Sequence, residues 1–143
     1  MIVNFLNLDR DFEPAIDDFL KLHQFKRSDR NVDVYVEIQK NDKAEIEIVK
    51  KGNKAVFYLN KYYQFFRAMT ILKQHKDADF KYKEPVVFET CGAMFDGSQP
   101  SSLMNIKSCK RMMLYLASMG YNMMMLYCED CYEIEGEPYF GNM

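Results

Sequence analysis

The sequence predicts an α+β protein: a small antiparallel sheet with two helices on one face, followed by a βαβ unit. Three observations predict this fold class. Residues 32–59 alternate between apolar and polar side chains in three short runs, which is typical of half-buried strands. Two segments with apolar residues at helical spacing flank these runs. After residue 85, a strand pattern, a helix pattern and an apolar run follow one another, as in one βαβ unit.

The composition indicates a packed globular protein and excludes several function classes. Of the 143 residues, 48% are hydrophobic and 15% are aromatic, which is typical of a folded chain. The formal net charge of −2 gives no reason to expect nucleic acid or a membrane surface as a partner. The longest apolar runs are far shorter than the roughly 20 residues of a membrane span. Since the N-terminus also lacks a signal-peptide pattern, the sequence predicts a cytoplasmic protein.

A change in composition divides the chain near residue 85. Residues 1–84 carry 16 Lys or Arg against 14 Asp or Glu, whereas residues 85–143 carry 3 against 7. Nine of the 11 Met lie at or after Met94. We therefore predict an N-terminal α+β accessory domain at residues 1–84 and the truncated start of a second domain at residues 85–143.

The first domain opens with a strand and a helix. Residues 2–6 are a short strand candidate. Pro14 suits the first turn of a helix, because proline is tolerated where the backbone N–H has no partner in the helix. The apolar residues of that helix recur at helical spacing and predict one buried face: Ile16, Phe19, Leu20 and His23.

Three strands follow, at residues 32–39, 44–48 and 55–59. Turns at residues 41–42 and 51–53 separate them, which predicts an antiparallel meander with one wet face.

A second helix and a linker complete the first domain. Asn60 is a candidate N-cap, since its side chain can accept a hydrogen bond from the first turn. Residues 75–83 are rich in charge and are predicted to be a linker. The apolar residues of the helix are predicted to lie on the sheet: Tyr62, Phe65, Phe66, Met69 and Leu72.

The second domain begins with a strand predicted to run from residue 86 to residue 95. A helix follows, with a start predicted at residues 100–102 and with Gly120 as the glycine that ends it. Residues 123–128 are apolar on both faces, which is typical of a strand buried inside a parallel sheet. Because a βαβ unit cannot bury both faces of its strands alone, this segment predicts the opening of a larger parallel domain.

Five short motifs run through the second domain: GAMFDGS at 92–98, KRM at 110–112, LASMGYN at 116–122, LYCED at 126–130 and EGEPYFG at 135–141. In this order and spacing they resemble the start of the catalytic barrel of family 20 glycoside hydrolases, the β-N-acetylhexosaminidases, and most of all a bacterial branch. The resemblance implies that residues 85–143 are the truncated start of a (β/α)₈ barrel. Residues 1–84 resemble only the layout of the small α+β domain that often precedes it.

The resemblance implies substrate-assisted hydrolysis of terminal N-acetylhexosamine residues. In that family the substrate's acetamide oxygen attacks the anomeric carbon, a glutamic acid protonates the leaving oxygen, and a neighbouring aspartate orients the acetamide. This Asp-Glu pair belongs to a later barrel strand, so the sequence offers no catalytic residue. Since a whole barrel needs about 250 residues, we expect the fragment to be inactive.

The same resemblance assigns substrate contacts to Asp130, Gln99 and Glu129, at the carboxyl ends of the first two barrel strands. Asp130 matches a family aspartate that contacts sugar hydroxyls, whereas Glu129 has no firm counterpart in the broader family. Gln99 stands where the family usually has arginine, and losing that charge-assisted bond weakens sugar binding by about 1.5–3 kcal/mol. Without the resemblance, the two carboxylates are typical of a solvated strand end. They are not expected to act as a dyad, because neighbours on a strand point to opposite faces.

The sequence predicts no metal site and no cofactor. Cys128 and Cys131 have the spacing of a metal or redox pair, but a zinc ribbon needs a second such pair. The acidic residues around them also disfavour a thiolate. The four Cys are therefore predicted to be free thiols.

Two functions of different classes remain open at this point. In the first, the chain is the N-terminal part of a glycoside hydrolase whose intact form binds carbohydrate. In the second, it is a non-catalytic α+β interaction or scaffold module. That module would form a homo-oligomer through the βαβ unit, since the strand at residues 123–128 leaves an apolar edge uncovered.

Overall fold

The computed structural model describes residues 1–8, 13–97, 104–127 and 134–137. They contain strands and three helices in an α+β arrangement. The strands are β1 (Ile2–Phe5), β2 (Lys26–Arg27), β3 (Val34–Lys40), β4 (Glu45–Lys51), β5 (Lys54–Leu59), β6 (Phe80–Pro85), β7 (Gly92–Asp96) and β8 (Met123–Tyr127), and the helices are α1 (Glu13–Leu22), α2 (Gln64–Gln74) and α3 (Ile106–Ser118).

Six strands form one mixed sheet in the order β2-β1-β3-β5-β4-β6. Strands β2, β1, β3 and β5 pair in parallel, and β4 is antiparallel to both β5 and β6. The predicted small antiparallel meander is therefore wrong, because β3 pairs with β5 and not with β4. The connection from β3 to β4 crosses the end of β5, where Asn41 N donates to Leu59 O at 2.8 Å. Alternation predicts the two faces of a strand but not its neighbours.

One face of this sheet is buried and the other is exposed to solvent (the wet face), as predicted. The wet face carries cross-strand ion pairs: Lys54 Nζ lies 2.7 Å from Glu37 Oε2, and Lys83 Nζ lies 2.9 Å from Glu47 Oε2. Such pairs keep a polar face in register without a second layer. The inward side chains of β3, β4 and β5 form the buried face: Val34, Val36, Ile46, Ile48, Ala55, Phe57 and Leu59.

Both predicted helices pack on the buried face, which confirms that part of the fold class. Ile16, Phe19 and Leu20 of α1 are buried in the same core as the inward side chains of the sheet. Phe19 meets Phe66 of α2, with ring centroids 5.1 Å apart. The aromatic contacts join the two helices over the sheet, so the core is a single layer between helices and strands.

Helix α2 begins later than predicted. Tyr63 occupies the N-cap position and makes no side-chain capping hydrogen bond. Instead, Gln64 Oε1 accepts hydrogen bonds from the backbone N–H groups of Asn60 at 2.8 Å and Lys61 at 3.1 Å. The prediction of Asn60 as the N-cap is therefore wrong. Tyr62, predicted on the apolar face of the helix, precedes it and is exposed.

The predicted linker at residues 75–83 contains most of β6. Phe80 and Tyr82 pack against the core. Lys81 and Lys83 alternate with them and face outward, where Lys81 Nζ lies 3.0 Å from Glu47 Oε1. The linker prediction is therefore wrong. Period-two alternation is present in this segment of the sequence, and its high charge belongs to the wet face of an edge strand.

Strands β7 and β8 and helix α3 form the predicted βαβ unit. The strands are parallel neighbours, with Gly92 opposite Met123 and Asp96 opposite Tyr127. The strand predicted from residue 86 begins only at Gly92, because Val86 instead continues the first sheet, donating from N to Ala44 O at 2.8 Å. Residues 100–102, where the sequence predicts the helix start, lie outside the described residues. Helix α3 begins only at Ile106, after its N-cap Asn105, so the predicted start is too early.

Helix α3 has clear signals at both ends. Asn105 is its N-cap, and the Asn105 Oδ1 atom accepts a hydrogen bond from Ser108 N at 2.9 Å. At the other end Gly120 has a φ of 95°, which favours glycine. Gly120 N donates to Ala117 O and Tyr121 N donates to Leu116 O, both at 3.0 Å. This is a Schellman motif, and it confirms the predicted glycine stop.

Candidate functional site

The predicted substrate contacts, Gln99, Glu129 and Asp130, lie outside the described residues. The structure does describe the two strands that precede them in the sequence. The carboxyl ends of β7 and β8 are adjacent, and Gly97 N donates a hydrogen bond to Tyr127 O at 2.6 Å. This edge of the βαβ unit is the candidate functional site, and the roles of the three residues stay predictions.

Close packing between β7 and β8 positions this edge. A Cβ atom at Gly92 would lie 2.5 Å from Met123 Cε and 3.1 Å from Met123 Cβ, so glycine lets the side chain of Met123 lie against β7. At the other end of β7, Asp96 is half-buried in register with Tyr127. A carboxylate thus occupies the carboxyl end of a parallel strand, the position at which barrel enzymes place functional groups.

An ion-pair cluster joins the first sheet to the βαβ unit. Arg67 of α2 donates three hydrogen bonds to Glu84 of β6: from Nη2 to Oε2 at 2.7 Å, and from Nε to Oε1 at 3.0 Å and to Oε2 at 3.2 Å. Tyr82 Oη donates to the same carboxylate at 2.9 Å. The stem of Arg67 also packs beside Gly120, since a Cβ atom there would lie 3.8 Å from Arg67 Cγ. The cluster therefore ties α2, β6 and the end of α3 together.

The electrostatics of this cluster favour a structural role. Hydrogen bonds from Arg67, and to a lesser extent from Tyr82, lower the pKa of Glu84 against the opposing effect of burial. The same hydrogen bonds to Glu84 raise the pKa of Arg67 and of Tyr82. Glu84 is therefore ionised and paired at neutral pH, which does not suit a general acid. No local pattern in the sequence predicts this pair, because its partners are 17 residues apart.

His23 packs at the junction between the βαβ unit and the helices of the first sheet. Its ring centroid is 4.3 Å from that of Phe19 and 6.0 Å from that of Tyr115 on α3. The Nε2 atom is buried and has no hydrogen-bond partner among the described residues. Burial lowers the pKa of His23, and the charge of Lys73 lowers it further. The ring is therefore neutral at pH 7 and helps α3 to pack on α1.

Two apolar hollows lie along the seam between the six-stranded sheet and the βαβ unit. One, of about 270 Å³, is bounded by Phe66, Leu116 and Met123 among others. The second, of about 300 Å³, includes Glu84 and Cys91 in its wall. Arg67 already holds the Glu84 carboxylate, and backbone groups hold the side-chain amide of Asn122. The described lining of the two hollows therefore lacks the convergent polar groups of a catalytic pocket.

The described residues hold no group of three or more His, Cys, Asp or Glu side chains placed to bind a metal ion. Cys91 and Cys109 are free thiols, as predicted. The predicted pair, Cys128 and Cys131, falls outside the described ranges. Within those ranges, no helix combines the length and the apolar character needed to cross a bilayer.

Strand β8 exposes apolar side chains on both faces. Met123, Met125, Leu126 and Tyr127 are 40–52% exposed. The prediction that this strand is buried on both faces is therefore wrong for the chain by itself. The reason is physical: β8 pairs with β7 along one edge, and the single helix of a βαβ unit cannot cover both faces of two strands.

Solved structures match this chain by fold, whereas no family model and no curated protein matches its sequence. A GH20 exo-β-N-acetylglucosaminidase from Vibrio harveyi matches with a TM-score of 0.61 at 16% identity, over 96% of this chain and 24% of that chain. A β-N-acetylhexosaminidase from Bacteroides fragilis gives 0.56 at 10% identity, over 88% and 28%. A GH138 enzyme that targets pectin rhamnogalacturonan II gives 0.56 at 11% identity, over 97% and 20%.

These matches show the fold of the chain. It has a GH20-like fold across both the six-stranded sheet and the βαβ unit, since the first match covers 96% of its residues. The chain spans about a quarter of the length of these structures. Because an enzyme of a different glycoside hydrolase family shares the fold, the fold by itself does not decide the reaction.

Proposed function

We propose that this chain is the N-terminal part of a glycoside hydrolase that acts on terminal N-acetylhexosamine residues, and that it is inactive as this fragment. The observation that carries the proposal is the fold match, over 96% of the chain, to an exo-β-N-acetylglucosaminidase. The motif series at residues 92–141 supports it independently. In this proposal residues 1–84 are an accessory domain, and residues 85–143 are the start of a (β/α)₈ catalytic barrel.

In the proposed enzyme, Asp130, Gln99 and Glu129 contact the sugar at the carboxyl edge of the barrel. The adjacent ends of β7 and β8 support this arrangement, because the segments with these residues follow those ends in the sequence. Gln99 can hydrogen-bond a hydroxyl but lacks the charge and the fork of a guanidinium. The three residues bind and orient the sugar, and the proton donor belongs to a later strand.

The isolated 143-residue chain is expected to release no p-nitrophenol from p-nitrophenyl N-acetyl-β-D-glucosaminide above the buffer blank. Cleavage needs a positioned acid, which contributes about 10²–10⁴ in rate and which this segment does not supply. An active β-N-acetylhexosaminidase serves as the positive control. Clear turnover by the purified chain would contradict the proposed inactivity. A reading frame that continues past Met143 into an Asp-Glu pair would support the parent enzyme.

The exposed apolar faces of β8 favour a second candidate function, a non-catalytic module that self-associates. Met123, Met125 and Tyr127 are exposed on one face of this short strand and Leu126 on the other, and exposed apolar surface of this kind can mark an interaction site. Parallel or antiparallel pairing of β8 with a second copy would cover its free edge.

This second function predicts a mass above that of the monomer in multi-angle light scattering at high protein concentration. Leu126→Lys is expected to restore the monomer, because a charge on the strand opposes its burial. Ile106→Lys is the matched control, since Ile106 is exposed on α3 and lines a hollow with Asp18 and Leu22 of α1. A monomer at every concentration tested, or an equal effect of both variants, would count against self-association through β8.

A further inference from the structure

A cleft of about 340 Å³ opens at one edge of the six-stranded sheet. The described residues that line it belong to residues 7–62, so it lies apart from the described part of the βαβ unit. It is formed at the carboxyl ends of β1, β3 and β5, which are parallel neighbours. In open sheets with parallel strands, this edge is where ligands bind.

Side chains of the cleft hold its walls in place. Asn7 takes the place of a strand partner for Ile38: its Nδ2 donates to Ile38 O at 2.6 Å, and its Oδ1 accepts from Ile38 N at 2.8 Å. Asn60 Nδ2 donates to Asn41 O at 3.1 Å and fixes the chain that crosses the end of β5. The cleft is therefore formed before any ligand arrives, which reduces the entropic cost of binding.

The charged side chains that the described residues contribute to the lining of the cleft are both lysines. Lys40 and Lys61 are exposed at its rim, and no Asp or Glu is among the described residues that line it. Lys40 Nζ lies 3.7 Å from Asp42 Oδ1, in a pair whose side chains are 83% and 94% exposed. An ion pair this exposed contributes little free energy. An anionic group of the ligand can therefore replace Asp42 as the partner of Lys40 at little cost.

The rest of the lining suits a sugar. The ring of Tyr62 is 56% exposed and offers an apolar face. Gln39 and Asn60 bring amide groups, which both donate to and accept from hydroxyls. The volume lies at the lower end of the range for small-molecule pockets, about 300–1,000 Å³, and so fits one sugar unit better than a chain.

We propose that this cleft binds a single anionic sugar unit, one that carries a carboxylate or a phosphate. Lys40 and Lys61 hold the anion, and Tyr62 packs on the ring of the sugar. The site is separate from the proposed hydrolase site, so it stands or falls independently of the activity of the parent enzyme.

The test is an NMR titration of the ¹⁵N-labelled 143-residue chain with D-glucuronate, D-glucose 6-phosphate, D-glucose and inorganic phosphate. We expect saturable shifts of the amides around Ile38 and Asn60 with at least one of the two anionic sugars, at a Kd of about 1 mM. D-glucose and inorganic phosphate should each bind at least about tenfold more weakly. The tighter of the two anionic sugars identifies the anion as carboxylate or phosphate.

A pair of double variants separates this cleft from general charge attraction. Lys40→Gln with Lys61→Gln should weaken binding by about tenfold or more. Lys26→Gln with Lys51→Gln makes the same change of charge at two exposed lysines outside the cleft, and should leave the Kd unchanged. No saturable shift up to about 50 mM, equal binding of D-glucose or of inorganic phosphate, or equal weakening by both double variants would overturn the proposal.

Discussion

Replacing Phe57 with alanine is expected to lower the free energy of unfolding by about 3–5 kcal/mol. Phe57 is fully buried at an inward position of β5, which lies between β3 and β4 in the sheet. Its ring centroid lies 6.3 Å from that of Phe65 on α2, so the side chain joins sheet and helix. Truncation removes this apolar contact and leaves a cavity that a close-packed core cannot refill. The loss is a large fraction of the total stability of a domain, about 5–15 kcal/mol.

Urea denaturation followed by circular dichroism measures this loss as a shift of the midpoint. The matched control is Phe88→Ala, since Phe88 is 67% exposed and its truncation should cost no more than about 0.5 kcal/mol. Equal midpoints for the two variants would contradict the placement of the Phe57 side chain in the core.

The second large effect is expected when the ion pair between Arg67 and Glu84 is broken. This pair lies at the junction between the six-stranded sheet and the βαβ unit. Arg67→Met keeps an unbranched stem beside Gly120 but removes the charge that holds Glu84. The partner side chains are 24% and 27% exposed, so a partly buried carboxylate is left without its main donor. We expect a loss of about 1–3 kcal/mol in the free energy of unfolding at pH 7.

The pH dependence of this loss follows from the lowered pKa of Glu84. In the folded protein the carboxyl binds its proton less readily than in the unfolded chain, whose ordinary value is 4.5. The pair therefore contributes fully above the unfolded value, and its contribution is lost as the pH falls through the folded pKa. The difference between the wild-type protein and Arg67→Met should be full at pH 7 and should shrink in acid below that ordinary value.

Arg27→Met provides the control for this experiment. Arg27 pairs with Glu13 at 3.1 Å, but these side chains are 40% and 42% exposed. Such a surface pair is worth about 0–1 kcal/mol, because water screens it. Urea midpoints at neutral and acid pH compare the two variants. An Arg67→Met loss that does not exceed the Arg27→Met loss, or that does not change with pH, would contradict the proposed role of the junction.

This junction also bears on the candidate functional site. Helix α3 contacts α2 and ends beside Arg67, and α3 leads directly into β8. The orientation of the adjacent ends of β7 and β8 thus depends on how α3 is seated on the first sheet. A loosened junction is expected to disturb the site in the proposed parent enzyme without touching a sugar contact.

Much of the fold could be predicted from local patterns. The inward residues Val34, Ile46 and Phe57 were predicted because a strand shows its two faces within a few residues. The position of the glycine stop at Gly120 was equally local, since only the end of one helix is involved. Strand β6 was not predicted, because the many charged residues of this segment are typical of a linker. Phe80 and Tyr82 nevertheless alternate with Lys81 and Lys83, as in a strand.

The candidate sites depended on different information. Gln99, Glu129 and Asp130 are proposed sugar contacts on the basis of a resemblance of motifs, and the structure contributes the adjacency of the strands that precede them. The cleft at Lys40 and Lys61 has no local signal, because three parallel strands must first assemble to bring their ends together.

By itself, the sequence determined the inward side chains of α1 and of β3, β4 and β5, and that a βαβ unit follows the first sheet. Only the tertiary structure decided that β5 lies between β3 and β4, and that Lys50 is buried with its Nζ 3.1 Å from Ala78 O. The physical reason is the range of the interactions. Side-chain periodicity is set by backbone geometry over a few residues, whereas strand order depends on hydrogen bonds between residues far apart in the chain.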